Sequence, residues 1–276
     1  MSCLSECPKE VQFPDMAKNV LSPQDPTPVD LFNADGLSPF VLSCEHAGCS
    51  IPASLGNLGV AAQELARHIA YDIGAEGISR QLSQMLNAPL VLQRYSRLVV
   101  DCNRHFEALD CIPAVSDGTI VPANTELSER ARRQRFAEIH QPFHHALAGL
   151  LDRRAAAKQP TVLVSIHSFT ARLLGKPQRP WALGVLSNRD RSFACRFLAA
   201  FQAENTMIVS AHNEPYAVDD MSDYTIPVHG EHRGLPHLLI EIRNNLIADH
   251  AGQRRWAKLV AAALIAANAK GNIDGR

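Results

Sequence analysis

Four short apolar runs in this chain end in ionisable residues, and this pattern constrains the fold more than any other feature. Phe40–Ser43 leads into Glu45 and His46, and Leu98–Val100 into Asp101, Asn103 and Arg104. Val162–Ile166 leads into His167 and Ser168, and Leu238–Ile240 into Glu241 and Arg243. Short apolar runs bounded by turn residues read as buried strands. Further strands are expected at 90–93, 182–186 and 207–210. Between the strands lie helical patterns. Over 61–86, Leu65, Ile69, Ile73, Ile78, Leu82 and Met85 recur at spacings that mark one apolar face. Helices are also expected over 128–158, with Pro142 as a dividing point, and over 191–204 and 253–268. Strands alternating with helices predict an α/β domain with helices on both faces of the sheet. Residues 1–36 are polar, contain five prolines and show no period, which predicts an extended or partly disordered arm. No linker or repeat divides the remainder, so 37–276 is expected to be one domain.

Composition narrows the function classes. The 27 Lys and Arg residues nearly balance 28 Asp and Glu, so the basic excess of a nucleic-acid binder is missing. The apolar runs are too short to span a bilayer, and the N-terminal residues lack the pattern of a secretory signal. Seven cysteines, an odd number with no CxxC pair, suit a reduced, cytoplasmic protein. Gly-rich phosphate loops and the G-x-S-x-G nucleophile motif are also missing. The expected partner is a small molecule, with no nucleic acid and no membrane; a homo-oligomer is compatible.

In α/β sheets, ligands bind at the carboxyl ends of strands, and four strands delivering polar groups at one edge would build a single site. A lone strand-end histidine is more often simply hydrogen-bonded. Two of them, His46 and His167, with Glu45 alongside, raise the case for a metal such as Zn²⁺. His68 and Asp72, spaced i, i+4, could meet on one helix face and orient the site from behind. His140 and His144 share that spacing, but without an intervening Glu they are a weak metal motif. The fork of Arg104 could grip a carboxylate, or Asp101 could instead pair with Arg104 or Arg97. Glu241 lies within an apolar strand, where burial would raise its pKa toward the range of a general base. Tyr216, Tyr224 and His229 lie on a long polar segment, 211–236, of the kind that contacts substrates.

In order along the chain, VLSCEHAGCSIP, HIAYDIGA, YSRLVVDCNR, SIHSF, NEPY and GLPHLLIEIRNNLI resemble the N-formylglutamate amidohydrolase family from about residue 38 to 262. The resemblance implies a zinc-carboxypeptidase-like fold, with a central mixed, mostly parallel sheet between helical layers. It implies a zinc-dependent hydrolase of an N-formyl or N-acyl amino acid. His46 and His167 match the zinc histidines, Glu241 the base, and Asn103 and Arg104 the pair that holds a substrate carboxylate. The family usually has Asp-His where this chain has Glu45-His46, and Asn where it has Cys49. The third ligand is therefore open between Glu45, the preferred choice, and Cys49. The further expectations are Arg97 or Arg104 at the developing oxyanion, Tyr216, His229 and Ser168 at the substrate, and Asp101 beside His68 and Asp72 behind the ligands. Two rival readings are a metal-free cysteine hydrolase using Cys44 with His167 as base, and a non-catalytic binding protein on the same scaffold.

Overall fold

The computed structural model describes residues 19–271. Residues 1–18, with Cys3 and Cys7 of the expected arm, and residues 272–276 lie outside the described residues. Among the described residues nine strands occur: β1 Val29–Phe32, β2 Phe40–Cys44, β3 Leu90–Gln93, β4 Val115–Ser116, β5 Thr119–Ile120, β6 Val162–Phe169, β7 Leu183–Leu186, β8 Ser210–His212 and β9 His237–Arg243. The α-helices are α1 Ala62–Leu65, α2 Ala75–Leu86, α3 Glu129–Arg135, α4 Gln141–Ala156, α5 Ser192–Glu204 and α6 His250–Gly271. Seven strands form one sheet in the order β1-β3-β2-β6-β9-β7-β8. The central strands β3, β2, β6 and β9 are parallel, whereas β1 and β7 each run antiparallel to their inner neighbours. The sheet is therefore mixed and mostly parallel. β1 comes from the segment expected as an arm, and its pairing with β3 makes it a sheet edge.

Side-chain alternation along the strands separates two cores. Phe40, Leu42, Val164, Ile166, Leu238, Ile240 and Ile242 face α2, α5 and α6. On the other face, Val41, Val91 and Leu163 pack with Phe143, Leu147 and Leu150 of α4. The sheet thus has helices on both faces.

Several local expectations shift for physical reasons. The helix predicted over 61–86 is broken between Leu65 and Ala75. Its apolar residues serve different cores: Ile69 packs on the α4 side, Ile78 and Leu82 on the α2 side. Gly74 starts α2 at φ 83, and a Cβ there would lie 2.1 Å from the carbonyl oxygen of Ile247. Residues 98–101 are buried but form no strand; Asn124 donates to the Leu98 carbonyl and Arg135 to that of Val99. Side chains satisfy carbonyls that a sheet ladder would otherwise take. Pro142 divides nothing. α3 runs through a wide π-helical turn, Phe136–His140, directly into α4. The strand expected at 207–210 begins at Ser210, since Met207 and Val209 point to solvent. Residues 108–125 contain the β4–β5 hairpin.

Gly184 of β7 lies opposite Glu241, and a Cβ there would come within 1.9 Å of the Glu214 carbonyl oxygen. Substituting Gly184→Ala is expected to destabilise the fold by about 1–3 kcal/mol, read from the urea midpoint. An unchanged midpoint would mean that the 214–216 segment is free to move away.

Candidate active site

The carboxyl ends of β6 and β9 and the turn after β2 open on one cavity of about 300 Å³. His46, Asp72, Arg97, His167, Tyr216 and Glu241 are among its walls. His46 follows β2, and its carbonyl accepts the backbone N–H of Asp72 at 2.9 Å, which docks the α1–α2 connection against the strand end. His167 lies in β6, in register with Glu241 of β9. The sheet itself sets these two groups side by side.

Three donor atoms converge. His167 Nδ1 lies 2.9 Å from Asp72 Oδ2 and 3.2 Å from His46 Nδ1. His46 Nδ1 is 3.5 Å from the same Asp72 oxygen. A tetrahedral ion with bonds of about 2.1 Å spaces its donors about 3.4 Å apart, so this spacing and donor set fit a divalent metal. The remaining ring nitrogens are held by carboxylates. His46 Nε2 donates to Asp101 Oδ1 at 2.7 Å, and His167 Nε2 to Glu45 Oε2 at 2.9 Å. Such contacts fix the rings with Nδ1 facing the common point, as in carboxylate–histidine–metal arrangements.

Two carboxylates stand in places other than those expected. Glu45, expected as third ligand, lies behind His167 and also accepts from Ser43 (2.7 Å) and Ser165 (2.8 Å). Asp72, expected behind the ligands, supplies the oxygen facing the two imidazoles. Parity along β2 accounts for the difference: Glu45 points back over the sheet, and only the broken helix carries Asp72 in. Gly74, a left-handed residue just before α2, is the sequence signal for that break. Cys49 is exposed and lines a separate cleft with Tyr71, Glu76 and Arg80. Cys44 is buried in the α2-side core, where burial first of all pushes its thiol well above the usual range. That environment disfavours the thiolate needed for cysteine catalysis.

The other expected residues divide. Asp101 accepts from His46 Nε2 through Oδ1 and from Arg97 Nη2 through Oδ2, the latter at 2.5 Å. Arg97 Nη1 lies 3.3 Å from His46 Nδ1. Arg104 lines the cavity with its Nε on Asp110 at 2.8 Å. Asn103 is a clamp: its Nδ2 donates to Asp223 (2.9 Å) and its Oδ1 accepts from the N–H groups of Tyr224 and Thr225. Its amide therefore fixes the long segment over the site. Ser168 donates its backbone N–H to Asp72 at 3.1 Å, and its hydroxyl to the Ile73 carbonyl. His68 lines the cavity but does not meet Asp72; its Nε2 lies 3.4 Å from Asp117. Tyr216 lines the cavity and accepts from Arg179. His229 lies outside the lining, 3.0 Å from His144 Nδ1. His140 and His144 form no metal pair. Their Nε2 groups donate to the carbonyls of Arg104 (3.0 Å) and Cys102 (2.6 Å), tying the π-helical turn and α4 to the 101–104 segment.

The electrostatics oppose one another across the cavity. Burial would raise the Glu45 carboxyl, but the hydrogen bond and charge of His167 outweigh it and hold it at about 2. Burial alone would lower His167, yet its bonds to Asp72 and Glu45 raise it well above the usual imidazole range. Among the described residues Glu241 has no such bonds. Its Oε2 is buried without a hydrogen-bond partner among the described residues. Burial foremost pushes this carboxyl up to about 8, against the pull of His167 and Arg97.

A family model for N-formylglutamate amidohydrolase matches residues 38–248. Among curated protein sequences, none matches the chain. A gene product of Agrobacterium tumefaciens of known crystal structure is 34% identical, covering 92% of this chain and 100% of that one, with a TM-score of 0.88. An N-formylglutamate amidohydrolase from Ralstonia eutropha JMP134 shares the fold at a TM-score of 0.69 and 18% identity, covering 88% of this chain and 98% of that one.

Because Asp72 and Glu45 hold a proton on His167, a metal ion entering the site must displace it. Calorimetric titration with a divalent metal, in buffers of different ionisation enthalpy, is expected to show proton release. The affinity should fall as pH drops through the raised His167 pKa. Binding that is independent of pH would place the ion elsewhere.

Proposed function

The chain belongs to the N-formylglutamate amidohydrolase family, and on that premise we propose that it hydrolyses the amide bond of an N-formyl or other N-acyl amino acid at a zinc site. One observation carries this reading: two imidazole nitrogens and a carboxylate oxygen converge beside a buried carboxylate that has no hydrogen-bond partner for Oε2 among the described residues. His46, His167 and Asp72 would hold the ion, a donor set suited to Zn²⁺. Bound there, zinc supplies Lewis acidity and brings the pKa of water down to about 7.

The protein's own groups do the rest. Glu241 takes a proton from the attacking water and returns it to the departing amine nitrogen. That work needs the carboxylate form, and positive charge beside Glu241 draws its pKa down from about 8. Arg97 Nη1, which faces His46 Nδ1, stabilises the acyl oxygen as it gains charge. Arg104 holds the α-carboxylate of the amino acid. Asn103 keeps the 223–225 segment closed over the cavity. The acyl C–N bond breaks, water oxygen joins the acyl carbon, and a carboxylate and a free amino acid leave. Among the described residues no helix is long and apolar enough to cross a membrane.

The test is metal analysis followed by hydrolysis of N-formyl-, N-acetyl- and N-carbamoyl-amino acids, with and without chelator. Activity is expected to vanish on chelation and return with zinc. Glu241→Gln should keep its zinc while kcat falls about 10²–10⁴-fold; an unimpaired variant would remove the proposed base. Zinc affinity should fall further in Asp72→Asn than in Glu45→Gln, where loss of the orienting contact costs about 10–100-fold. The reverse order would return Glu45 to the metal.

A further inference from the structure

A second cleft, of about 370 Å³, adjoins the catalytic cavity. His68 and Thr170 are walls of both, so the two spaces meet at these side chains. Arg104 and Glu241, assigned above to the amino-acid half and to proton transfer, line only the first. The other walls of the cleft are Arg67, Asp117 and the turn 172–175. Its polar groups are largely occupied with one another. Arg67 pairs with Asp117 at 2.7 Å and with Glu64. Asp117 also accepts the Leu174 N–H at 2.9 Å. The Thr170 hydroxyl donates to the Arg172 carbonyl at 3.1 Å, and Arg172 Nε donates to the Lys176 carbonyl at 2.8 Å. These bonds fix the turn, and yet they hold the Leu174 side chain 69% exposed at the cleft, packed over Gly118. An apolar side chain kept in water by its own backbone bonds gains free energy when an apolar ligand covers it.

We propose that this cleft receives an aliphatic acyl tail, so that the chain acts on N-acyl amino acids whose acyl group is several carbons long in preference to short ones. This rests on the amidohydrolase reading and narrows its acyl half. With the α-carboxylate on Arg104 and the acyl carbon beside His46, Asp72 and His167, the tail passes His68 and Thr170 and lies against Leu173 and Leu174. A formyl group carries only hydrogen at that point and leaves the cleft to water. Ligand sites for drug-sized molecules run to about 300–1,000 Å³, and the cleft alone is of that order.

The test compares kcat/KM of the zinc-loaded protein for N-acetyl- and N-hexanoyl-L-glutamate, with the leucine derivatives in parallel. Both are alkyl amides of like reactivity, so their ratio reports the tail. A methylene fully buried is worth about fourfold, and four added carbons in a cleft open to water are expected to favour hexanoyl by about tenfold or more. Leu174→Asn should bring the ratio toward one and Leu174→Phe should raise it, with melting temperatures close to the parent's, since this side chain is exposed. Opposite shifts from one position are an outcome that misfolding does not produce. An acetyl derivative turned over as fast as the hexanoyl one, or a ratio that neither variant moves, overturns the proposal and leaves the amidohydrolase reading standing. Faster turnover of an N-succinyl than of an N-butanoyl derivative also overturns it, and gives the cleft to an anionic group at Arg172. Turnover of no N-acyl amino acid, formyl derivatives included, defeats the amidohydrolase reading itself and this proposal with it.

Discussion

Two buried contacts between carboxylate and imidazole, Glu45 with His167 and Asp101 with His46, govern the arrangement of the polar groups around them. A carboxylate removed from water is costly unless it is paired and hydrogen-bonded. Glu45 meets that demand with His167 and two serine hydroxyls, Asp101 with His46, Arg97 and the N–H of Asn103. Once these bonds are made, neither ring can rotate without stranding a charge. Both Nδ1 atoms are thereby committed to one point, and Asp72 completes the group. Glu241 is the exception: it is buried on the adjacent strand, and its Oε2 has no hydrogen-bond partner among the described residues. Satisfied and unsatisfied carboxylates thus stand side by side in a single small volume, and such contrast sets their pKa values apart.

The sheet and α4 deliver these groups with little freedom. Parallel register puts His167 beside Glu241. The 101–104 segment has no strand partner to fix it, so the π-helical turn and α4 hold it through His140 and His144. The tautomers follow from the acceptors. A carbonyl at each Nε2 requires a proton there, which leaves His144 Nδ1 to accept from His229 Nε2. Burial foremost lowers His140 and His229 to about 4 and keeps the set neutral near pH 7. Histidines that resemble a metal motif in sequence thus serve as neutral struts.

Much of the site was legible because strand ends are legible. His46, Asp101, His167 and Glu241 all follow or end apolar runs; the sheet brings His46, His167 and Glu241 to one edge, and Asp101 meets His46 there from a segment that forms no strand. Orientation was not legible. Glu45 and His46 are neighbours in sequence, yet one faces the back of His167 and the other the cavity. Asp72 was hidden because Leu65, Ile69, Ile73 and Ile78 mimic one helical face while Ile69 and Ile78 fill separate cores. Residues 98–101 read as a strand because their burial is real, although Asn124 and Arg135 rather than a neighbouring strand meet their carbonyls. Both errors share one cause: apolar periodicity reports burial, and here burial came without regular hydrogen bonding.

Donors and supporting groups of the cluster are drawn from residues 45, 46, 72, 101, 167 and 241, so no contiguous fragment of the chain carries it. An ion seated there touches only the assembled protein, and its affinity is therefore shared by the domain as a whole. Denaturation would have to surrender the ion and the central sheet together. Truncation or cleavage far from the cavity, anywhere that loosens β2, β6 or β9, would be reported at the same point.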